Sequence, residues 1–325
     1  MYPTNFTASR KKASGIMVNK NNIQFLQPDE IYCDPLKAGF CILPYPFEGG
    51  ISFHSGTAKA PQAVLQASSQ VELYDEMLDA EPFRAGICTL ETPNIPAKTK
   101  EMADHIYKSC KTIIEKGKYP IVLGGDHSIS PGFFKALCRF HNPIGVIQLD
   151  AHADLRDQYE DDPHSHASVM ARIREQTEHT LQLGIRSMCI EEADLIKREN
   201  LAVETMHELR KNDLNINAAL ERLPDKVFLT IDVDVFDTGL IQHTGTPEPG
   251  GLTWYEALGL LREIFAKKNV VGFDLVELAC HPDDWVSPFA VARLLYKIIG
   301  LKINSLINRK QLIAWPKKPL KVPVN

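Results

Sequence analysis

Short apolar runs alternate with longer amphipathic stretches, and this alternation constrains the fold more than any other feature. Apolar residues on both sides of such runs are typical of strands buried on both faces of a parallel sheet. The pattern predicts a three-layer αβα sandwich, an α/β fold with a mostly parallel central sheet. Predicted strands cover residues 39–43, 87–90, 119–123, 144–149, 180–185, 226–231 and 270–275. Predicted helices cover residues 61–69, 98–116, 131–140, 191–198, 254–267 and 290–301.

The chain of 325 residues is long enough for one large domain with a substantial core. No repeat, linker or low-complexity tract interrupts the alternation, so we expect a single domain over residues 26–315. Residues 1–25, which lack Asp and Glu, are expected to be a flexible extension, with an organellar transit peptide as the alternative. Residues 316–325 are expected to be a tail rich in Pro and Lys.

Composition excludes several classes of function. The formal net charge of -5 argues against nucleic acid as the main partner, because phosphate binding requires a positive surface. No apolar run reaches the roughly 18 residues that a membrane span needs. The seven cysteines are scattered and include no Cys-x-x-Cys pair, which favours reduced thiols in a cytoplasmic protein.

Polar residues follow four of the predicted strands abruptly. In open α/β sheets, binding sites form beyond the carboxyl ends of the strands. After residues 119–123, Gly124 and Gly125 allow a sharp turn that leads to His127. Taken alone, His127 is equally explained as an incidental residue beside a helix cap formed by Asp126 or Ser128.

Two further segments place carboxylates at a spacing of two residues. Asp150, His152 and Asp154 follow the strand at 144–149, while Asp232 and Asp234 end the strand at 226–231. In extended chain, residues i, i+2 and i+4 point the same way. Such a cluster is costly without a cation, because like charges repel and burial penalises both. A solvated strand end is the weaker alternative.

The predicted ligands contain oxygen and nitrogen donors and no thiolate. This donor set suits Mn²⁺ and tolerates Ni²⁺, Co²⁺, Fe²⁺ or Zn²⁺. Four carboxylates balance the charge of two divalent cations, and six ligands are too many for one tetrahedral zinc. The six are His127, Asp150, His152, Asp154, Asp232 and Asp234. The pattern therefore predicts a two-metal hydrolytic site, and Glu277, at the end of the strand at 270–275, would lie beside it.

At these positions the chain resembles the ureohydrolases, the family of arginase and agmatinase. The match covers roughly residues 37–300, with motifs in the family's order. The matching segments are Gly-Gly-Asp-His-Ser at 124–128, Asp-Ala-His-Ala-Asp at 150–154, the DxDxxD pattern at 232–237, Gly-Thr-Pro-Glu-Pro-Gly-Gly at 245–251, and Ser-Gly-Thr at 55–57. The resemblance implies an arginase-like fold, two Mn²⁺ ions, and a trimer or hexamer.

The resemblance also implies a role for each residue. One ion would be held by His127, Asp150, Asp154 and Asp232, and the other by Asp150, His152, Asp232 and Asp234, with Asp150 and Asp232 bridging. A hydroxide between the ions, hydrogen-bonded to Asp154, would attack the guanidinium carbon and release urea. Glu277 would pair with the guanidinium, and Thr246 would line its pocket. His166 would move the proton that the leaving amine requires, with His164 as a competing candidate.

Agmatine, giving putrescine and urea, is the substrate that the sequence favours. The loop at 155–166 is acidic and lacks the arginase pattern, and a small dication such as agmatine suits an acidic rim. Guanidinobutyrase, arginase, formimidoylglutamase and guanidine hydrolase activities stay open, as does, less strongly, a single-zinc deacetylase or a non-catalytic binding protein. Thr238 and Cys280, where the family usually has Pro, bear on the shape of the pocket.

Overall fold

Eight parallel strands form one twisted sheet in the computed structural model, which describes residues 23–320 and residue 322. The strands lie in the order β2-β1-β3-β8-β7-β4-β5-β6, and every pairing between them is parallel. Their bounds are β1 Phe40–Tyr45, β2 Ile87–Thr89, β3 Tyr119–Gly124, β4 Gly145–Leu149, β5 Thr180–Ile185, β6 Val203–Thr205, β7 Lys226–Asp232 and β8 Asn269–Val276. The predicted parallel α/β sheet is confirmed.

Helices cover both faces of the sheet. Their bounds are α1 Glu30–Cys33, α2 Ala60–Ser68, α3 Thr99–Glu115, α4 Ser130–Cys138, α5 Val169–Arg174, α6 Ile190–Glu199, α7 Met206–Lys211, α8 Asn217–Glu221, α9 Trp254–Lys267 and α10 Val286–Asn308. Side chains of α2, α7, α8, α9 and α10 pack in one core cluster. Those of α3, α4, α5 and α6 pack in a second cluster on the opposite face.

Neighbouring residues of each strand point into different cores, which explains the continuous apolar runs. In β1, Phe40 and Ile42 join the first cluster, whereas Cys41 and Leu43 join the second. Both faces of the strand are therefore buried, as expected for a parallel sheet between two helix layers.

Short, partly exposed elements escape the sequence pattern. Strand β6 and the helices α1, α5, α7 and α8 are short and were not predicted, and α10 extends well beyond the predicted 290–301 on both sides. Strand β6 lies at the sheet edge and is only half-buried, so it carries no apolar run that a sequence pattern could detect.

The ends of the described chain are packed against the sheet. Most of the predicted extension, residues 1–22, lies outside the described residues, but Phe25 is fully buried and donates its backbone N–H to Thr89 Oγ1 at 2.9 Å. In the predicted tail, Leu320 donates its N–H to the Ala85 carbonyl at 3.1 Å and Val322 is buried, while residues 321 and 323–325 lie outside the described part. Within the described residues, no helix is both long and apolar enough to cross a membrane.

Candidate metal centre and substrate pocket

The structure brings the four predicted polar segments together at one edge of the sheet. Strands β3, β8, β7 and β4 are consecutive neighbours in the sheet although they are far apart in the chain. All four run parallel, so their carboxyl ends meet at the same edge. His127 follows β3, Glu277 follows β8, Asp232 ends β7 and Asp150 follows β4.

His127 is the centre of a first group of candidate ligands. Its Nδ1 lies 3.1 Å from Oδ2 of Asp150, 3.1 Å from Oδ2 of Asp154 and 3.5 Å from Oδ2 of Asp232. All four side chains are buried. The imidazole and the carboxylates of Asp150 and Asp232 lie close enough to hold one metal ion.

A second group forms around His152. Its Nδ1 lies 2.8 Å from Oδ2 of Asp234 and 3.8 Å from Oδ1 of Asp150. Asp150, His152 and Asp234 are also placed to hold a metal ion, so Asp150 belongs to both groups and presents one oxygen to each histidine. Asp232, the second bridge that the resemblance implies, lies close enough only to the first group.

The backbone brings these side chains together by a different route from the predicted one. We expected extended chain, but β4 ends at Leu149, and Asp154 has a φ of 53° in the left-handed region. Likewise β7 ends at Asp232, whose carboxylate accepts the N–H of Asp234 at 2.8 Å as a 3-10 turn begins. Tight turns redirect the chain and bring the carboxylates together. Alternation of side chains along a continuous strand would leave these carboxylates further apart.

Buried amides support the shared carboxylate, and no sequence pattern predicted them. Gln148 donates through Nε2 to Oδ2 of Asp150 at 2.6 Å and of Asp154 at 3.3 Å. Gln182 donates in turn to Oε1 of Gln148 at 2.6 Å. Similarly, Thr230 Oγ1 lies 2.8 Å from Nε2 of His127 and orients that ring.

Burial and mutual repulsion make this cluster costly in the absence of a cation. Burial, with the charges of Asp154 and Asp234, raises the pKa of Asp150 to about 7. Burial and Asp234 also raise the pKa of Asp232 well above its usual range. Burial would lower the pKa of His152, but the Asp234 carboxylate outweighs it and raises that pKa to about 10.

The donor set fits two divalent cations. Nδ1 of His127 is buried and has no aligned hydrogen-bond partner among the described residues, although carboxylate oxygens surround it. With Nε2 occupied by Thr230, this nitrogen is free to act as a ligand. Two cations would compensate the four buried carboxylates and relieve the repulsion among them.

Glu277 lies beside the first group and is also in the left-handed region, with a φ of 67°. Its Oε1 accepts the backbone N–H of His127 at 2.6 Å. A Cβ on Gly245 would come within 3.1 Å of its Oε2, so the glycine leaves room for this carboxylate. Glu277, Gly245 and Thr246 line the same pocket as the histidines.

A cavity of about 290 Å³ lies above the two groups and is open to solvent. Of the two competing histidines, His166 lines it and His164 does not. Arg156 and Tyr159 are the only residues of positions 155–163 that line it. The expectation that this loop forms an acidic rim is therefore wrong. Asp157 binds Arg172 and Asp162 binds Thr99, and neither aspartate lines the cavity.

Glu192 is a further acidic residue of the cavity wall and was not predicted. Its carboxylate is buried, lines the cavity and accepts the N–H groups of Leu155 and Cys189, both at 2.8 Å. In sequence it reads as an ordinary first-turn glutamate of α6, so only the fold reveals its position. Thr238 and Cys280 are absent from the cavity lining, and Cys280 donates its N–H to Gly56.

Comparison with known proteins defines the class. A model of the arginase family matches residues 38–300, and the chain belongs to this family. The N(1)-aminopropylagmatine ureohydrolase of Synechocystis is 41% identical over 85% of this chain and 93% of its own length. The agmatinase of Pyrococcus horikoshii is 32% identical over 81% of this chain and 92% of its own. The agmatine ureohydrolase structure of Thermoplasma volcanium superposes with a TM-score of 0.79 at 24% identity, covering 89% of this chain and 97% of its own, which supports the fold.

Proposed function

We propose that this ureohydrolase uses two Mn²⁺ ions to hydrolyse the guanidino group of agmatine or of its N1-aminopropyl derivative, releasing urea and a polyamine. The observation that carries the proposal is the pair of His and Asp groups that share Asp150 at the base of one cavity. His127, Asp150, Asp154 and Asp232 would hold one ion, and Asp150, His152 and Asp234 the other. The family resemblance implies Asp232 as a further ligand of the second ion. When bound, two such ions would supply hydroxide at neutral pH by lowering the pKa of water.

The protein side chains would bind and orient the substrate. Glu277 would accept planar, charge-paired hydrogen bonds from the guanidinium and place its carbon over the metal groups. Thr246, on the neighbouring loop of the cavity, would contact the same end of the substrate. Asp154 would accept a hydrogen bond from the attacking water and align it.

Cleavage of the C–N bond requires a proton on the leaving amine, and His166 would provide it. The amine leaves as a neutral molecule only if a proton reaches its nitrogen as the bond breaks. His166 lines the cavity, and its Nε2 lies 2.8 Å from the hydroxyl of Ser52.

The far end of the substrate decides between the two candidates. Agmatine and its aminopropyl derivative both carry ammonium groups beyond the guanidinium, and the carboxylate of Glu192 in the cavity wall suits such a cation. The name of the 41% identical relative favours the N1-aminopropyl derivative, whose products would be urea and spermidine. Agmatine, giving putrescine, is the second candidate and is favoured by the match to an agmatinase.

The test is a screen for urea release. Purified full-length protein, freed of metal and reloaded with Mn²⁺, Ni²⁺ or Zn²⁺, is incubated with N1-aminopropylagmatine, agmatine, guanidinobutyrate, arginine and guanidine. We expect urea and amine in equal amounts, with the highest kcat/KM for N1-aminopropylagmatine in Mn²⁺. Asp234→Asn protein serves as the inactive control.

Two outcomes would reject the proposal. Absence of urea from every substrate with every metal would exclude a ureohydrolase. One tightly bound zinc per chain, with deacetylase activity, would favour the single-zinc alternative, which the presence of His127 and Asp234 argues against.

A further inference from the structure

The loop after β1 contacts the imidazole of His166. Ser52 Oγ lies 2.8 Å from Nε2 of His166. Gly50 packs so closely that a Cβ there would lie 2.5 Å from Nδ1 of the same ring. The ring of Tyr159 contacts the imidazole edge-on at a centroid distance of 5.7 Å.

A buried carboxylate anchors this loop. Asp126, fully buried, accepts the N–H groups of Gly49 and Gly50 through Oδ2 at 2.6 and 3.2 Å. Its other oxygen accepts the N–H of Ser128 at 3.0 Å, and its own N–H donates to the Phe47 carbonyl at 2.9 Å. Asp126 therefore ties the loop to the turn that carries His127.

A second carboxylate fixes the far end of the loop. Oε2 of Glu48 accepts the N–H groups of Gly56 and Ala58, both at 2.9 Å, and the hydroxyl of Thr57 at 3.2 Å. The segment between the two anchors carries Ser52. These two anchors fix both ends of the exposed segment that carries Ser52.

We propose that Ser52 and Gly50 are positioning residues that hold the imidazole of His166 in the orientation needed for proton transfer, with Asp126 holding their loop. The inference rests on the proposed function for the role of His166. A serine hydroxyl can both donate and accept, so it binds Nε2 whether the ring is protonated or neutral. Gly50 provides the space in which the ring lies, and neither residue is among the metal-binding groups.

The decisive variants are Ser52→Ala, Ser52→Thr and Gly50→Ala, with Ile51→Ala as the matched control. Ile51 lies in the same loop, is exposed and does not line the cavity. We expect Ser52→Ala to lower kcat roughly tenfold with KM and metal content unchanged, because the ring loses its orientation. Ser52→Thr retains the hydroxyl and should restore kcat, whereas Gly50→Ala should displace the ring and resemble Ser52→Ala.

A double-mutant cycle separates positioning from a general structural effect. In His166→Ala protein, Ser52→Ala should change kcat by less than about twofold, because the residue through which it acts is gone. A further tenfold loss in that background, or wild-type kcat in Ser52→Ala, would overturn the inference.

A readout that needs no activity distinguishes failure of this inference from failure of the proposed function. In protein labelled with ¹⁵N-histidine, the ring resonances lost in His166→Ala identify His166. Ser52→Ala should shift the Nε2 resonance and Ile51→Ala should not; an unchanged Nε2 resonance would contradict the contact. If wild-type protein released no urea, the proposed function would fail while the resonance shift still decided whether Ser52 holds the ring.

Discussion

The backbone N–H of His127 donates to the carboxylate of Glu277 at 2.6 Å, across 150 residues of sequence. One hydrogen bond therefore joins the turn that carries a proposed metal ligand to the side chain proposed to hold the guanidinium. The sheet therefore sets the distance between the metal-binding groups and the Glu277 carboxylate, and this distance does not depend on a flexible loop.

Glu277→Gln separates the two tasks of this residue. The glutamine oxygen can still accept the N–H of His127, but the charge that pairs with a guanidinium is lost. We expect kcat/KM to fall by at least about 100-fold with metal content unchanged, measured by urea release and metal analysis. Glu248→Gln, a carboxylate near His152 on the adjacent loop, is the control. Loss of metal in Glu277→Gln would instead assign Glu277 to support of His127.

Metal stoichiometry should follow the sharing of Asp150. Removal of a ligand unique to one group, by His127→Asn or by His152→Asn, is expected to leave about one tightly bound ion per chain. Asp150→Asn should weaken both sites, because its two oxygens face both histidines. His164→Asn, outside the cavity, should keep two ions. Two ions retained in Asp150→Asn would contradict the arrangement.

The metal-free protein should lose stability as the pH rises. The pKa of Asp150 is raised to about 7, so the folded chain keeps a proton that the unfolded chain releases near pH 4, and folding is penalised progressively between these values. The pKa of His152, raised to about 10, acts in the same direction, because its stabilisation is complete below about 6.5 and is lost towards 10. We expect the free energy of unfolding without metal to fall by a few kcal/mol from pH 5 to pH 8.

Added Mn²⁺ should reverse this trend, because binding displaces those protons and strengthens with pH. The increase in Tm caused by Mn²⁺ should therefore be larger at pH 8 than at pH 5.5, as measured by thermal unfolding with and without chelator. An increase in Tm that is the same at both pH values would show that the buried carboxylates do not keep protons in the metal-free folded state.

A buried ion pair far from the site should control global stability. Nζ of Lys297, in α10, lies 3.0 Å from Oδ1 of Asp75, and both side chains are buried. Lys297→Met leaves that carboxylate uncompensated and should cost about 3–5 kcal/mol in denaturant unfolding. Asp75→Asn combined with Lys297→Met should recover most of the loss. Glu76→Gln, which alters the exposed partner of Lys297, should cost at most about 1 kcal/mol.

The sequence predicted the sheet and the members of the site better than it predicted their arrangement. Alternating apolar runs located seven of the eight strands. Residue types at strand ends picked out six candidate ligands, of which five form the two groups in the structure and the sixth, Asp154, lies 3.1 Å from His127. The sequence could not show that Asp154 and Glu277 turn through left-handed backbone, since φ at a non-glycine residue follows from tertiary packing. Gln148 and Glu192 escaped notice because a buried amide and a helix-capping glutamate have no distinctive sequence pattern.

The acidic composition of the loop at 155–166 did not predict which charged side chains line the cavity. The acidic residues at 157–162 suggested an acidic rim, yet the structure directs Asp157 and Asp162 to Arg172 and Thr99. A count of charges does not specify which way side chains point. Substrate preference therefore has to be argued from the cavity wall, where Glu192 lies.

The strand order has a consequence for biosynthesis. The central strands β3, β8, β7 and β4 are adjacent in space but emerge from the ribosome far apart, and the first metal group joins His127 to Asp232. Such long-range pairing is slow to form, because the entropy of loop closure is lost before the stabilising contacts are made. A nascent chain that ends before β7 therefore contains neither complete metal group. Metal uptake would thus report that the chain has been made and folded at least as far as Asp234.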